Sequence, residues 1–288
     1  MSALGQIRIS AEVMEIMIVN GRRRFVFTTA ALLAVGMAHP AFAAKCGNSS
    51  SGFNTWVGQF KQEAAARGVS QKTLDSAFSG VRYATKTISL DRNQRSFKLS
   101  LKQFMSKRGA SSIISKGRKL KQSNASLFRK IEKQYGVPAG PLIAIWGMES
   151  GFGSFMGNQH TVSAVATLSY DCRRSAFFTD QLYALLDLIQ RGWISPNFKG
   201  AAHGEIGQTQ FLPRNVINFG KSGDGNRSVD LRSKADALAS TANFLRAHGW
   251  QRGGGYQPGQ TNFRAIRGWN AAGVYQQAIA IIGAEIDK

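Results

Sequence analysis

The sequence predicts a mainly helical protein, with short strands at most. Three observations carry this expectation. Apolar residues recur at spacings of three and four along most of residues 53–286, period-two alternation is sparse, and glycines and prolines punctuate the periodic stretches. With 288 residues, 43% of them hydrophobic, including 18 Phe and 5 Trp, the chain has enough apolar surface for one large domain or two small lobes, which excludes disorder as its general state. It has no internal repeat and no low-complexity segment.

Residues 1–44 read as an export leader. Arg22, Arg23 and Arg24 supply a positive start, Phe25 to Met37 an apolar stretch too short for a stable span, and Ala41-Phe42-Ala43 the small-x-small pattern of a signal-peptidase site. Cleavage is expected after Ala43 or Ala44, with an uncleaved anchor as the alternative. Lys45 before Cys46 argues against lipidation. No later stretch reaches transmembrane length. The two cysteines, Cys46 and Cys172, read as a disulfide pair in an oxidising compartment, or as two free thiols.

After a polar entry at Gly47–Gly52, the spacing of Phe53, Trp56, Val57 and Phe60 predicts a helix, and Ser70 marks the start of a second. Leu90 to Phe97 has no clear period and is expected to be extended. From Phe104 to Gly136, basic residues alternate with Leu, Ile and Phe at helical intervals, with Lys116 to Lys121 as a solvated basic face. Val137-Pro138 breaks this helix and starts another, in which Pro141, Leu142, Ile145, Trp146 and Glu149 share a face and which glycines 151, 153 and 157 end. Further helices are expected at Thr161–Leu168, Phe177–Gln190, Ser233–His248 and within Asn262–Gly283.

The net charge is +21, and residues 45–288 still carry +19. Such a field favours a polyanion: nucleic acid for a cytoplasmic protein, the carboxylate-bearing cell wall for an exported one. Charge alone does not separate these from a purely solubilising role.

The chemistry concentrates at Trp146-Gly147-Met148-Glu149-Ser150-Gly151-Phe152-Gly153. Here a single carboxylate ends an apolar helix. Apolar surroundings disfavour its ionised form and raise its pKa, as a general acid near neutral pH requires. The flanking glycines leave room for a polymer to approach. The competing reading is an exposed glutamate at a helix C-terminus. Glycoside cleavage usually takes two carboxylates, and Glu205 and Asp171 are the candidates for a second. A lone carboxylate suffices if the sugar supplies its own nucleophile. Gly207-Gln208-Thr209-Gln210-Phe211-Leu212-Pro213 adds neutral donors and acceptors suited to sugar hydroxyls and amides.

These two segments resemble the membrane-bound lytic murein transglycosylase B family. So do Leu168-Ser169-Tyr170-Asp171-Cys172-Arg173-Arg174-Ser175-Ala176-Phe177-Phe178 and the run from Ala235 to Leu245, followed by His248-Gly249-Trp250. The likeness covers roughly Phe53 to Ile286 and is densest from Gly136 onward. It implies a lysozyme-like helical fold around a groove, with residues 45–135 as the N-terminal helical part of the catalytic region and 136–288 as its core. It also implies cleavage of the β-1,4 bond between N-acetylmuramic acid and N-acetylglucosamine, with Glu149 first as acid and then as base, closing a 1,6-anhydro ring. By motif, Arg173, Arg174, Gln210, Asn270 and Tyr275 match groove positions. The sequence departs from the family where Ala201 and Ala202 replace a serine and an aromatic, and where Trp269 replaces a tyrosine.

Some relatives of that family bind calcium in an EF-hand-like loop. Ser222, Asp224, Asn226, Ser228 and Asp230 alternate as oxygen donors, but only two are carboxylates and the terminal Glu is missing. His160, His203 and His248 lack metal-ligand spacing, no phosphate-binding fingerprint is present, and Ser150 has no evident His and Asp partners for a serine hydrolase. No metal or cofactor is expected. The reading is therefore a periplasmic enzyme that acts as a monomer on peptidoglycan glycan strands, with no nucleic acid partner and no retained span. A hydrolytic muramidase and a catalytically silent wall-binding protein are the alternatives.

Overall fold

The computed structural model describes residues 44–93 and 99–288. The leader lies outside them except for Ala44. Among the described residues the helices are joined by loops, and the only strands are two of two residues each, β1 (Gln159–His160) and β2 (Lys199–Gly200), paired antiparallel with Gln159 opposite Gly200.

The first helices follow the apolar spacing. In α1 (Phe53–Ala66), Phe53, Trp56 and Phe60 stack along one face; Phe53 and Trp56 meet Tyr170, and Phe60 meets Phe78 and Tyr183. Ser70 caps α2 (Gln71–Phe78), its side chain accepting from the Thr73 N–H. The stretch from Leu90, expected to be extended, begins instead as the last turn of α3 (Thr85–Arg92); residues 94–98 lie outside the described part. Tertiary contacts outweigh the weak local pattern there. Ile88 packs against Leu168 and Phe178, and the N–H groups of Arg82 and Ala84 find acceptors in Ser163 Oγ and Thr167 Oγ1. The region from Phe104 to Gly136, expected to be one helix, divides into α4 (Leu101–Lys107), α5 (Ala110–Ser123) and α6 (Ala125–Tyr135), with breaks at left-handed Gly109 and at Asn124.

The basic face of α5 is only partly a solvated one. Arg118 bonds Glu285, and Lys121 donates to the backbone oxygens of Ile286 and Asp287, holding the end of the final helix.

At the centre lies α7 (Ala139–Ser150), whose residues are all buried, so it is a core helix rather than an amphipathic one. Pro138 and Pro141 fall where backbone N–H groups lack helical partners anyway. Asp287 accepts from the N–H of Gly140, capping α7 from α13 (Gly273–Asp287). These two helices cross closely: a Cβ on Gly140 would stand 2.3 Å from the Gly283 carbonyl oxygen. The second half is completed by α8 (Thr161–Tyr170), α9 (Ser175–Gln190), α10 (Pro213–Phe219), α11 (Lys234–Ala247) and α12 (Phe263–Trp269). Of these, α10 was not anticipated by spacing. One apolar core runs from Phe53 to Ile286, across residue 136.

Cys46 and Cys172 are joined by a disulfide across a sequence separation of 126. Beside it, Gly47 donates to the Tyr170 carbonyl, so the start of the described chain is fastened to the turn after α8.

Candidate active site

Helix α7 delivers Glu149 in its last turn and stops at once. Gly151 takes the left-handed conformation (φ 59°) that closes a helix without a Cβ penalty. The next residue, Phe152, is also left-handed (φ 63°) and turns its ring edge-on to Trp146. The glycines around Glu149 serve the chain's own packing, not open space for a polymer. A Cβ on Gly147 would press on Ile113 and Phe152, and one on Gly153 would meet Gln208.

Glu149 is buried, with 3% of its surface exposed. Its Oε1 accepts two hydrogen bonds, from Tyr275 Oη at 2.6 Å and from Trp269 Nε1 at 3.0 Å. Both donors come from the junction of α12 and α13. Burial pushes the Glu149 carboxyl above its ordinary value; the Tyr275 and Trp269 bonds and the positive Arg108 pull the other way without winning, and the negative Glu205 adds to the rise. The Tyr275 hydroxyl is itself pushed far up by burial and by Glu149, so it stays a donor. Its ring lies beside Phe104, with the Arg108 guanidinium over both rings.

The polar loop braces the same wall. Gln208 accepts from Trp146 Nε1 at 2.7 Å and its backbone carbonyl accepts from Ser150 Oγ at 2.5 Å. Its amide also donates to the Arg232 carbonyl. Gln210, at φ 56°, donates to Gly207 O at 2.7 Å, holding the turn it sits in. Asn270 is buried, its Oδ1 accepting from the Ala272 N–H and its carbonyl from Gln276, at the entry to α13. The structure thus gathers Tyr275 directly onto Glu149 and uses Gln210 and Asn270 to shape adjoining backbone.

Arg173 and Arg174 lie on a different cluster. Both guanidiniums are ion-paired with the buried carboxylate of Asp91, the penultimate residue of α3. The neighbouring Arg92 reaches back to Asp171 at 2.7 Å. His203 stands 3.4 Å from Asp91 and 3.1 Å from Glu205, whose other oxygen accepts the His203 backbone N–H at 2.8 Å. Burial would raise the Glu205 carboxyl, but attraction and hydrogen bonding to His203, with backbone donors, outweigh it and hold the group below its ordinary value. Asp91, Gln208 and the role of Trp269 as a donor were missed by sequence reasoning. Gln208 lay inside a motif already singled out, two residues from Gln210, the one chosen. Asp91 carried no local signal.

In the Ser222–Asp230 segment the side-chain oxygens are engaged with one another and with Arg232. Asp224 accepts from Ser222 and Asn226, Asp230 is paired with Arg232, and Asn226 Oδ1 accepts from Ser228. Among the described residues no three His, Cys, Asp or Glu side chains converge as metal ligands.

Comparison with known proteins gives the family and the fold. Residues 52–260 match the transglycosylase SLT domain. A stretch of 121 residues is 34% identical to the membrane-bound lytic murein transglycosylase B of Escherichia coli K12, covering 41% of this chain and 34% of that protein, so the match spans about a third of the relative's length. Among solved structures, SltB3 of Pseudomonas aeruginosa in complex with NAG-anhNAM-pentapeptide superposes with a TM-score of 0.77 at 28% identity, over 82% of this chain and 79% of that one. The Escherichia coli lytic transglycosylase Slt35 in complex with calcium shares the fold, with a TM-score of 0.73 at 20% identity over 85% and 96%. A helical scaffold that buries Glu149 in the last turn of its central helix, matched over most of its length to a single domain family, has a definite place: the chain belongs to the transglycosylase SLT domain family.

Proposed function

We propose that the protein is a lytic transglycosylase that cleaves the β-1,4 bond between N-acetylmuramic acid and N-acetylglucosamine in peptidoglycan and leaves 1,6-anhydro ends. The observation that carries this reading is the environment of Glu149, buried and with Tyr275 and Trp269, its donors among the described residues, on a single oxygen. Oε1 accepts two hydrogen bonds, so in the protonated form of Glu149 the proton sits on the other oxygen, Oε2. That proton is available to the glycosidic oxygen of the leaving sugar. Once it has gone, Tyr275 and Trp269 stabilise the carboxylate, which then takes the proton of the muramoyl 6-hydroxyl as that oxygen attacks the anomeric carbon. The acid is restored, and no water enters.

The environment of the other carboxylates favours this route over hydrolysis. A water-activating base needs a carboxylate free to accept a proton. Asp171 is bound to Arg92 and to the N–H of Arg173, and Glu205 to His203. Both are occupied in holding the fold. The relative from Pseudomonas aeruginosa was captured with an anhydro-sugar ligand, which supports the same product chemistry. A leader at residues 1–44 would deliver the enzyme to the periplasm, where it would act as a monomer on glycan strands.

The test is mass spectrometry of muropeptides released from purified sacculi by residues 45–288 and by the Glu149→Gln variant. Anhydro ends from the wild type alone are expected. Reducing ends would turn the reading to a muramidase, and binding without products to a silent wall-binding protein.

A further inference from the structure

Asp91 sits outside every segment whose sequence pointed to chemistry, yet it is the carboxylate on which the arginine pair converges. It lies at the end of α3 and is 3% exposed. One of its oxygens is paired with Arg173 and the other with Arg174, while its backbone carbonyl accepts from Arg173 Nη2 at 3.2 Å. The arginine side chains themselves are 46% and 29% exposed, so each is held by the buried carboxylate while part of it still meets solvent. Arg174 is stacked on Phe178, and its buried Nε has no acceptor among the described residues.

Resting on the function proposed above, we infer that Asp91 is a positioning residue for substrate: it holds Arg173 and Arg174 in the orientation in which they bind the glycan strand. Two adjacent guanidiniums repel each other, and each has a long side chain whose freedom must be lost before it can bind anything. A buried carboxylate between them offsets the repulsion and fixes both forks before a ligand arrives. The remaining charge of the trio is positive and faces outward, which suits the carboxylates and carbonyl oxygens of a peptide-bearing strand. The turn that carries the arginines is secured from the same direction. Arg92, next to Asp91, pairs with Asp171, and Cys172 between Asp171 and Arg173 is tied to Cys46. The Glu149 carboxylate is held by other elements, α7 and the α12–α13 junction, so disturbing Asp91 leaves the acid in place.

The prediction is a split between KM and kcat. Asp91→Asn keeps the shape but removes the charge, and KM for solubilised glycan strands is expected to rise by about tenfold or more with kcat within about twofold of wild type. The pH dependence of kcat, set by Glu149, should not move. Binding is read independently in the Glu149→Gln background, where adding Asp91→Asn should weaken retention on sacculi by a similar factor. Removing a buried partner can also unfold a protein. If Asp91→Asn does not give a native circular dichroism spectrum, Asp91→Glu decides the matter: it keeps the charge and displaces the forks, and the same rise in KM is expected. A folded variant with unchanged KM and unchanged retention, or one that loses kcat at constant KM, overturns the positioning role. A wild type that binds but releases no products fails the functional reading instead, and leaves the retention test of Asp91 standing.

Discussion

Glu149 and Glu205 are the same residue type, buried to nearly the same degree at 3% and 4% exposure, and close enough for the charge of one to act on the other. Their carboxyls move in opposite directions, Glu149 upward and Glu205 downward. Burial pushes both up, so burial is not what distinguishes them. The difference lies in the company. Glu149 is met by two neutral donors on one oxygen, whereas Glu205 has His203 on one oxygen and a backbone N–H on the other. An acid that must be protonated near neutral pH and a carboxylate that must stay ionised can thus be built from one side chain in adjacent positions. The lesson is that a buried glutamate is not by itself a catalytic acid; what decides is whether its partners stabilise the anion more than burial opposes it.

The largest way to break this contrast is to remove the acid. Glu149→Gln keeps an oxygen to accept from Tyr275 and Trp269, so the fold should hold, while the rate of muropeptide release should fall by roughly 10²–10⁴-fold. A folded Gln variant with wild-type turnover would move catalysis elsewhere in the molecule.

Next in size is the covalent support of the ionic side. The Cys46–Cys172 disulfide closes a long loop, and such links contribute roughly 2–4 kcal/mol. The Cys46→Ser/Cys172→Ser protein should lose stability of that order in chemical denaturation and should bind strands less well, with the pH profile of turnover unchanged. A shifted profile would show that the two sides are mechanically coupled.

A smaller effect is expected at Glu205. Glu205→Gln weakens the bonds of His203 and should cost about 1–3 kcal/mol. It also removes a negative neighbour that raises the Glu149 carboxyl, so the alkaline limb of activity should move to lower pH. An unmoved limb would show that the charge of Glu205 does not reach the acid.

Much of the catalytic side was legible in the sequence, and little of the ionic side was. Glu149 stood out because an apolar helix, a carboxylate and a run of glycines lie within eight residues, and the helix really is buried all round. The motif resemblance also brought Tyr275 forward, and the structure sets it on Glu149. Asp91 was invisible because its partners lie more than eighty residues away, on a helix whose Thr and Ser content gives a weak local pattern. Trp269 was noticed only as a departure from the family's tyrosine. Its indole N–H nevertheless gives the acid a donor, as a tyrosine hydroxyl can. Helix α10 was not anticipated because its seven residues are too few to show a clear period, although Pro213 is well suited to the first turn of a helix.

The finest test of the contrast is Tyr275→Phe, which deletes one hydroxyl at constant ring volume. The Tyr275 bond favours the ionised form of Glu149 and pulls its pKa down, so removing it should raise that pKa further. Glu149 must be protonated to begin the reaction; the alkaline limb of kcat/KM should therefore shift to higher pH, opposite to the shift expected for Glu205→Gln. The maximal rate should fall at the same time, because the carboxylate formed in the first step has lost a donor. Stability follows the same signs. A carboxyl raised above the ordinary 4.5 stabilises the fold fully below that pH, and its contribution is lost as pH rises through the raised value; the lowered Glu205 contributes above 4.5 and loses its part as pH falls. Tyr275→Phe should extend the first window upward and leave the second untouched, which a series of denaturation curves across pH can resolve. A limb that moves down, or windows that move together, would mean that the two glutamates titrate as one coupled unit rather than as an acid and a fixed anion.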